Sequence, residues 1–174
     1  ENNIPKAVLF RGPFGTGKTT LAEIFAAAIQ SSLPDGNPNW ETLSTKTILN
    51  ETFNRDTIQF NGAEMRGVES MEALIAQTKT RPMYDKRRVI IIEEADQISA
   101  TAMKSLLKVL ESPDPYTVFI LLSMEDKKGI PESIESRCQV YKVKPSDILS
   151  TMKALRAVME KTGDWTNPEI PDSF

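Results

Sequence analysis

The chain has 174 residues, 40% of them apolar and 26% charged, a balance that suits one domain, or one and the start of another, with a sizeable core. Its net charge of -3 excludes the strongly basic type that wraps nucleic acid by charge alone. One cysteine, Cys138, and no histidine exclude a disulfide framework and the usual zinc spacings, and fit a reducing compartment. No apolar run approaches the ~18 residues of a membrane span, and Glu1 opens no signal peptide. The missing initiator methionine and the ending "NPEIPDSF" read as a fragment of a longer protein.

In chain order, "AVLF" at 7–10 is a short β-prone run, followed by a glycine-framed loop and a helical stripe of Leu21, Ile24, Phe25, Ala28 and Ile29. Residues 31–47 are polar, with two prolines and a glycine, and read as an irregular connection. "TIQF" at 57–60 is a second strand, and Val68, Met71 and Ile75 mark a second helix. "VIII" at 89–92 is a third strand. Ser99 is placed to cap the next helix, Met103, Leu106, Leu107 and Leu110 form its core stripe, and Pro113 closes it. "VFILL" at 118–122 and "QVYKV" at 139–143 complete five strands.

The uninterrupted apolar runs suit strands covered on both faces, and the alternation of strand and helix predicts a doubly wound parallel α/β sheet. After Pro145 the pattern is helix only, with Ile148, Met152, Leu155 and Met159 on one face, so a boundary is placed near residue 144. No repeat or low-complexity segment is evident.

Gly12, Gly17, Lys18 and Thr19 satisfy G-x-x-x-x-G-K-[ST] between a strand and a helix. Such a loop turns backbone N–H groups toward phosphate oxygens, helped by the helix N-terminus. Lys18 is then the residue for the β and γ phosphates and the Thr19 hydroxyl for Mg²⁺, while Pro13, Gly15, Thr16 and Thr20 complete the nucleotide-binding set. Glu93 and Glu94 follow the third strand at its carboxyl end, where α/β sheets carry ligand chemistry. By position Glu93 is the metal acid and Glu94 the group that activates water.

The stretches "RGPFGTGKTTLAEIFA", "FNGAEMRGVESMEALI" and "RRVIIIEEADQISATAMKSLLKVLESPDPYTVFILLSMEDKKGIPESIESRCQVYKV" resemble, in order and spacing, the AAA+ domain of clamp-loader ATPase subunits. These include bacterial tau/gamma, replication factor C small subunits and their viral counterparts. The resemblance spans residues 5–145 and is most specific at Ser136-Arg137-Cys138. It implies a P-loop AAA+ domain over residues 1–144, a five-stranded parallel sheet sandwiched by helices, followed at 145–174 by the start of a small helical lid, cut short.

The resemblance also implies ATP with Mg²⁺ and a cytoplasmic or nucleoid-associated setting. It gives as partners other subunits of a spiral oligomer, a sliding clamp and primer–template DNA held by phosphate contacts, with no membrane. Arg137 is implied to serve ATP held by the neighbouring subunit; its plainer alternative is a surface ion pair. Glu93 stands where the family usually has Asp, and Met124 where it has a hydrogen-bonding sensor, with Ser123 next to it as the substitute. Residues 31–56 hold no cysteine, so the bacterial zinc module is not expected.

Arg156 is the candidate lid arginine. For DNA, the helix start with Ser99, Thr101 and Lys104, together with Arg66, are either phosphate contacts or ordinary solvated charges. Lys86-Arg87-Arg88 reads as a solvated strand entrance rather than a DNA patch. "ESPDPYT" or the helix around Met103 to Leu107 is the loose candidate for clamp contact. Two further functions are weighed. One is a nucleotide-holding structural subunit that supplies Arg137 and hydrolyses little. The other is a different AAA+ machine, a helicase loader or Holliday-junction motor, against which the Ser-Arg-Cys triplet counts.

Overall fold

Alternate residues of each apolar strand run point to opposite sides of a sheet, so a run with no polar interruption needs helices on both faces. The computed structural model describes residues 4–31, 39, 41, 42, 48, 55–65, 67–124, 129–147, 150, 151 and 153, with backbone alone at Val68. The chain divides into two compact units, Glu1–Val143 and Lys144–Phe174. In the first, β1 (Ala7–Arg11), β2 (Thr57–Asn61), β3 (Arg88–Glu93), β4 (Thr117–Ser123) and β5 (Gln139–Lys142) form one sheet in the order β2-β3-β4-β1-β5. Every neighbouring pair is parallel.

The helices include α1 (Lys18–Ser31), α2 (Val68–Thr78), α3 (Ala100–Glu111) and the single turn α4 (Glu132–Glu135). Leu9, Ile90, Ile92, Phe119 and Leu121 face Met71 and Leu74 of α2 and Met103, Leu106 and Leu110 of α3. Val8, Val89, Ile91, Ile120 and Leu122 face Ala22, Ala26, Ala27 and Ile29 of α1. The central strands are thereby sealed on both sides, and truncating a fully buried residue such as Leu106 to Ala costs ~2–5 kcal/mol.

Two stripes differ from the sequence reading. In α1 the buried face runs through Ala22, Ala26 and Ala27, while Leu21 and Ile24 are 37% and 41% exposed. Alanines let the helix approach the sheet closely, which turns the bulkier side chains away from it. In α2 the buried apolar side chains among those described are Met71 and Leu74, with Ile75 half-buried. In α3 the expected stripe is present, Leu107 at its half-buried margin. Ser99 caps α3, its hydroxyl accepting from Ala102 N at 3.3 Å.

The basic run before β3 also departs from expectation, since Arg88 is buried. Its Nη2 meets Asp56 Oδ1 at 3.2 Å, and Nη1 donates to Gln77 O and Thr80 Oγ1. Asp56, wholly buried, also accepts from the backbone N–H groups of Met83, Tyr84 and Asp85 at 2.6 to 3.0 Å. Burial raises its pKa, but those three N–H groups and the Arg88 guanidinium more than offset this and hold the carboxyl below its ordinary value. A buried carboxylate needs a partner, and the strand's first residue supplies it.

In the second unit Asp147 accepts from Ser150 N at 2.9 Å and from its hydroxyl at 2.7 Å, as at a helix start. The expected face of Ile148, Met152, Leu155 and Met159 lies outside the described residues, as do Arg156, Arg66 and most of the 31–47 connection.

Candidate nucleotide site

A cavity of about 490 Å³ opens at the carboxyl ends of β3 and β4, lined by residues of the glycine-rich loop, the start of α1 and the turn after β3. The loop depends on two left-handed glycines, Gly15 at φ 72° and Gly17 at φ 78°. Its base is fixed by Gly12 N donating to Ser123 O at 3.2 Å. Thr16 Oγ1 donates to Pro13 O at 2.9 Å and closes the loop on itself. The Lys18 ammonium folds over the loop, donating to Gly12 O at 2.9 Å and Pro13 O at 2.6 Å. Partial burial lowers its pKa, with Asp96 pulling the other way.

Opposite the loop, Glu93 ends β3 and reaches the first turn of α1, where Thr19 Oγ1 donates to Glu93 Oε1 at 2.9 Å. The longer side chain at this position thus spans the gap to the hydroxyl. Glu94 is exposed and takes the left-handed backbone, φ 46° and ψ 42°, the only positive φ outside glycine among the described residues. Such a conformation costs ~1–3 kcal/mol and is retained where the surroundings over-determine it. Here Gln97 N holds Glu94 O at 2.8 Å, and Gly62 packs so closely that a Cβ would come within 2.4 Å of that oxygen.

Lys18, Thr19, Glu93, Glu94, Ser123 and Met124 all line the cavity, together with Gly15 and Gly17. Gly12, Pro13, Thr16 and Thr20 do not, and the first three shape the loop instead. Ser123 is buried, its hydroxyl donating to Met124 O at 3.2 Å. Arg137 lies away from this cavity, on the surface, where Nη2 pairs with Glu111 Oε1 at 2.8 Å and Nη1 donates to Ser133 O at 2.6 Å.

Asp96 is a site residue that the sequence reading passed over, although it stands in the same turn as the glutamate pair. Its Oδ1 accepts from Met124 N at 3.2 Å and its Oδ2 from Gln97 Nε2 at 3.0 Å, which ties the turn after β3 to the end of β4. Gly129 presses on it, since a Cβ there would sit 2.3 Å from Asp96 O.

The donor set fits a nucleotide with a hard divalent cation: a carboxylate and a hydroxyl already in contact, an ammonium on the loop and left-handed glycines beneath it. Residues 1–147 match the family described as DNA polymerase III, delta subunit.

The chain belongs to this family.

Among similar curated proteins is DNA polymerase III subunit tau of Bacillus subtilis, 38% identical over 145 residues, which cover 83% of this chain and 25% of that protein. DNA polymerase III subunit gamma/tau of Mycoplasma genitalium is 32% identical over 141 residues, 81% of this chain and 24% of the relative. The chain thus spans about a quarter of the length of these relatives. A gamma subunit-related protein of Thermotoga maritima superposes with a TM-score of 0.60 at 14% identity, over 90% of this chain and 48% of that one. The RuvB Holliday junction branch migration motor of the same organism gives 0.57 at 16% identity, over 91% and 44%. These two solved structures share the chain's α/β fold, whose five-stranded parallel sheet is the one expected from the resemblance.

Proposed function

We propose that the chain is the nucleotide-binding AAA+ portion of a replication clamp-loader subunit, which binds and hydrolyses ATP with Mg²⁺ to open a sliding clamp and load it onto primed DNA. The observation that carries this reading is the Thr19–Glu93 hydrogen bond, made in one cavity with Lys18 and Glu94. Membership of the polymerase III family and relatives named as tau or gamma/tau subunits support the replication context.

In this reading the backbone N–H groups of the loop around Gly15 and Gly17 bind phosphate oxygens, with Lys18 on the β and γ groups. Thr19 and Glu93 hold Mg²⁺, which when bound supplies charge neutralisation at the terminal phosphates. Glu94 orients a water and accepts its proton, and Ser123 substitutes for the hydrogen-bonding sensor that Met124 cannot be. Arg137 is presented to ATP held by the neighbouring subunit, exchanging its exposed ion pair with Glu111 for phosphate.

Residues 145–174 begin the helical lid. The α3 start, with Ser99, Thr101 and Lys104, meets DNA phosphate, and the setting is cytoplasmic or nucleoid-associated. A second reading, a subunit that holds ATP as a scaffold with little turnover, is favoured by Glu93 in place of Asp and by Met124, whose thioether has no hydrogen to donate.

The test is steady-state ATP hydrolysis by the full-length protein assembled with its partner subunits, with and without primed DNA and clamp, beside a Glu93→Asp variant. Turnover that rises strongly with both ligands is the motor result. Background turnover restored by Glu93→Asp assigns the scaffold role.

A further inference from the structure

Arg11 is the last residue of β1 and stands directly before the phosphate loop, with its side chain only 15% exposed. Its Nη1 donates to Glu135 Oε1 at 2.6 Å, and its Nε is buried with no acceptor among the described residues. A guanidinium so placed relies on Glu135 for its charge compensation. Glu135 closes α4, whose Ile134 is wholly buried in the core.

Arg137 follows two residues later, with its backbone N–H on Ile134 O at 3.0 Å, and Cys138 N–H is on Glu135 O at 3.1 Å. The backbone that carries Arg137 therefore hangs from the two residues that Arg11 and the core hold. On its far side the chain returns along β1 as β5, and Val143 N donates to Arg11 O at 2.7 Å. Arg11 thus grips the segment from both ends, by its side chain before the triplet and by its carbonyl after it.

We infer that Arg11 is a positioning residue that, through Glu135, registers the Arg137 segment against the strand bearing this subunit's own phosphate loop. Arg137 is then aimed at the neighbour from a fixed point of this subunit's nucleotide site. The inference rests on the reading of Arg137 as acting in trans. Its exposed pair with Glu111 is too weak to fix that aim by itself, since solvent screens such pairs.

The experiment compares Arg11→Met, Arg11→Lys and Arg137→Ala in the full-length protein assembled with its partner subunits. Three readouts are taken: this subunit's affinity for a fluorescent ATP analogue, kcat and KM of the assembly for ATP, and the rate at which an uncharged maleimide labels Cys138. Arg11→Met is expected to lower kcat about ten-fold or more at unchanged KM, as loss of positioning does. Analogue affinity should stay within about two-fold, Cys138 should label several-fold faster, and Arg11→Lys should restore both kcat and slow labelling.

If Arg137→Ala lowers kcat while Arg11→Met leaves it at the parent value, the inference is overturned and the trans reading stands. If Arg137→Ala itself is without effect, the trans reading fails and labelling alone decides. Cys138 labelling in Arg11→Met no faster than in the parent then overturns the grip as well.

Discussion

Thr19 Oγ1 donates to Glu93 Oε1 over 2.9 Å, joining the first turn of α1 to the end of β3 across the cavity. One contact thus brings together the two side chains proposed to hold Mg²⁺. Replacing Glu93 by Gln keeps the shape and removes the charge. The expected outcome is weakened dependence of ATP binding on Mg²⁺ and slower turnover, measured by titrating the ion at fixed nucleotide. Glu94→Gln should instead leave binding intact and lower turnover by ~10²–10⁴, the contribution of a general base.

Lys18 is folded onto its own loop by two carbonyl contacts, and in the proposed function its ammonium meets the β and γ phosphates. Lys18→Ala should weaken ATP binding by about ten- to hundred-fold, equivalent to ~1.5–3 kcal/mol for a charged hydrogen-bonding group. Arg137→Ala should leave that affinity unchanged. Fluorescent nucleotide titration separates the two, and equal losses would contradict the assignment of Arg137 to the neighbouring subunit.

Gly62 is held by proximity rather than by its own φ. A Cβ at this position would lie 2.4 Å from Glu94 O and 2.9 Å from Glu93 O, both backbone atoms. Gly62→Ala must therefore shift the turn that presents the glutamates. It should lower turnover more than ATP affinity and destabilise the domain by ~1–3 kcal/mol, read by urea unfolding alongside kinetics.

The Asp56–Arg88 pair gives an acid-sensitive fold. The native carboxyl is held below its ordinary value of 3.8, so its contribution to stability is complete above that value and fades as pH falls through the native pKa. Asp56→Asn leaves Arg88 buried without its anion and should cost ~3–5 kcal/mol. Thermal unfolding at pH 7 and in mild acid should show the variant less stable at neutrality and the gap closing below pH ~4.

Cys138 is shielded from thiol chemistry. Burial, and then the charge of Glu135, push its pKa up to about 11 from 9.0. Alkylation of the folded protein should be slow at pH 8 and accelerate toward pH 11, while the urea-unfolded chain reacts at an ordinary thiol rate. Native stability should fall over the same interval, because the unfolded state gives up the thiol proton first.

The strands were legible because Val, Ile and Leu runs such as "VIII" and "VFILL" have no polar residue to place in water, and the tight loop between β1 and α1 because its glycines are spaced for left-handed turns. The face of α1 was misread because alanines count little in an apolar stripe yet pack the closest against a sheet. Asp96 and the Arg11–Glu135 pair were invisible for another reason. Their roles come from partners far along the chain, Met124 in one case and Glu135 in the other, which no local spacing encodes. Arg88 was misjudged likewise, since nothing in the basic run announces a buried Asp56.

The sheet order puts β1 between β4 and β5, the last two strands to be made, and Gly12 N rests on Ser123 O. During synthesis the glycine loop leaves the ribosome before β4 and β5 and has no floor until these strands, more than a hundred positions later, have formed beside it. Capture of ATP by ribosome-bound chains of increasing length should therefore begin only once β4 and β5 have emerged, which makes nucleotide binding a sensor of completed synthesis of this unit.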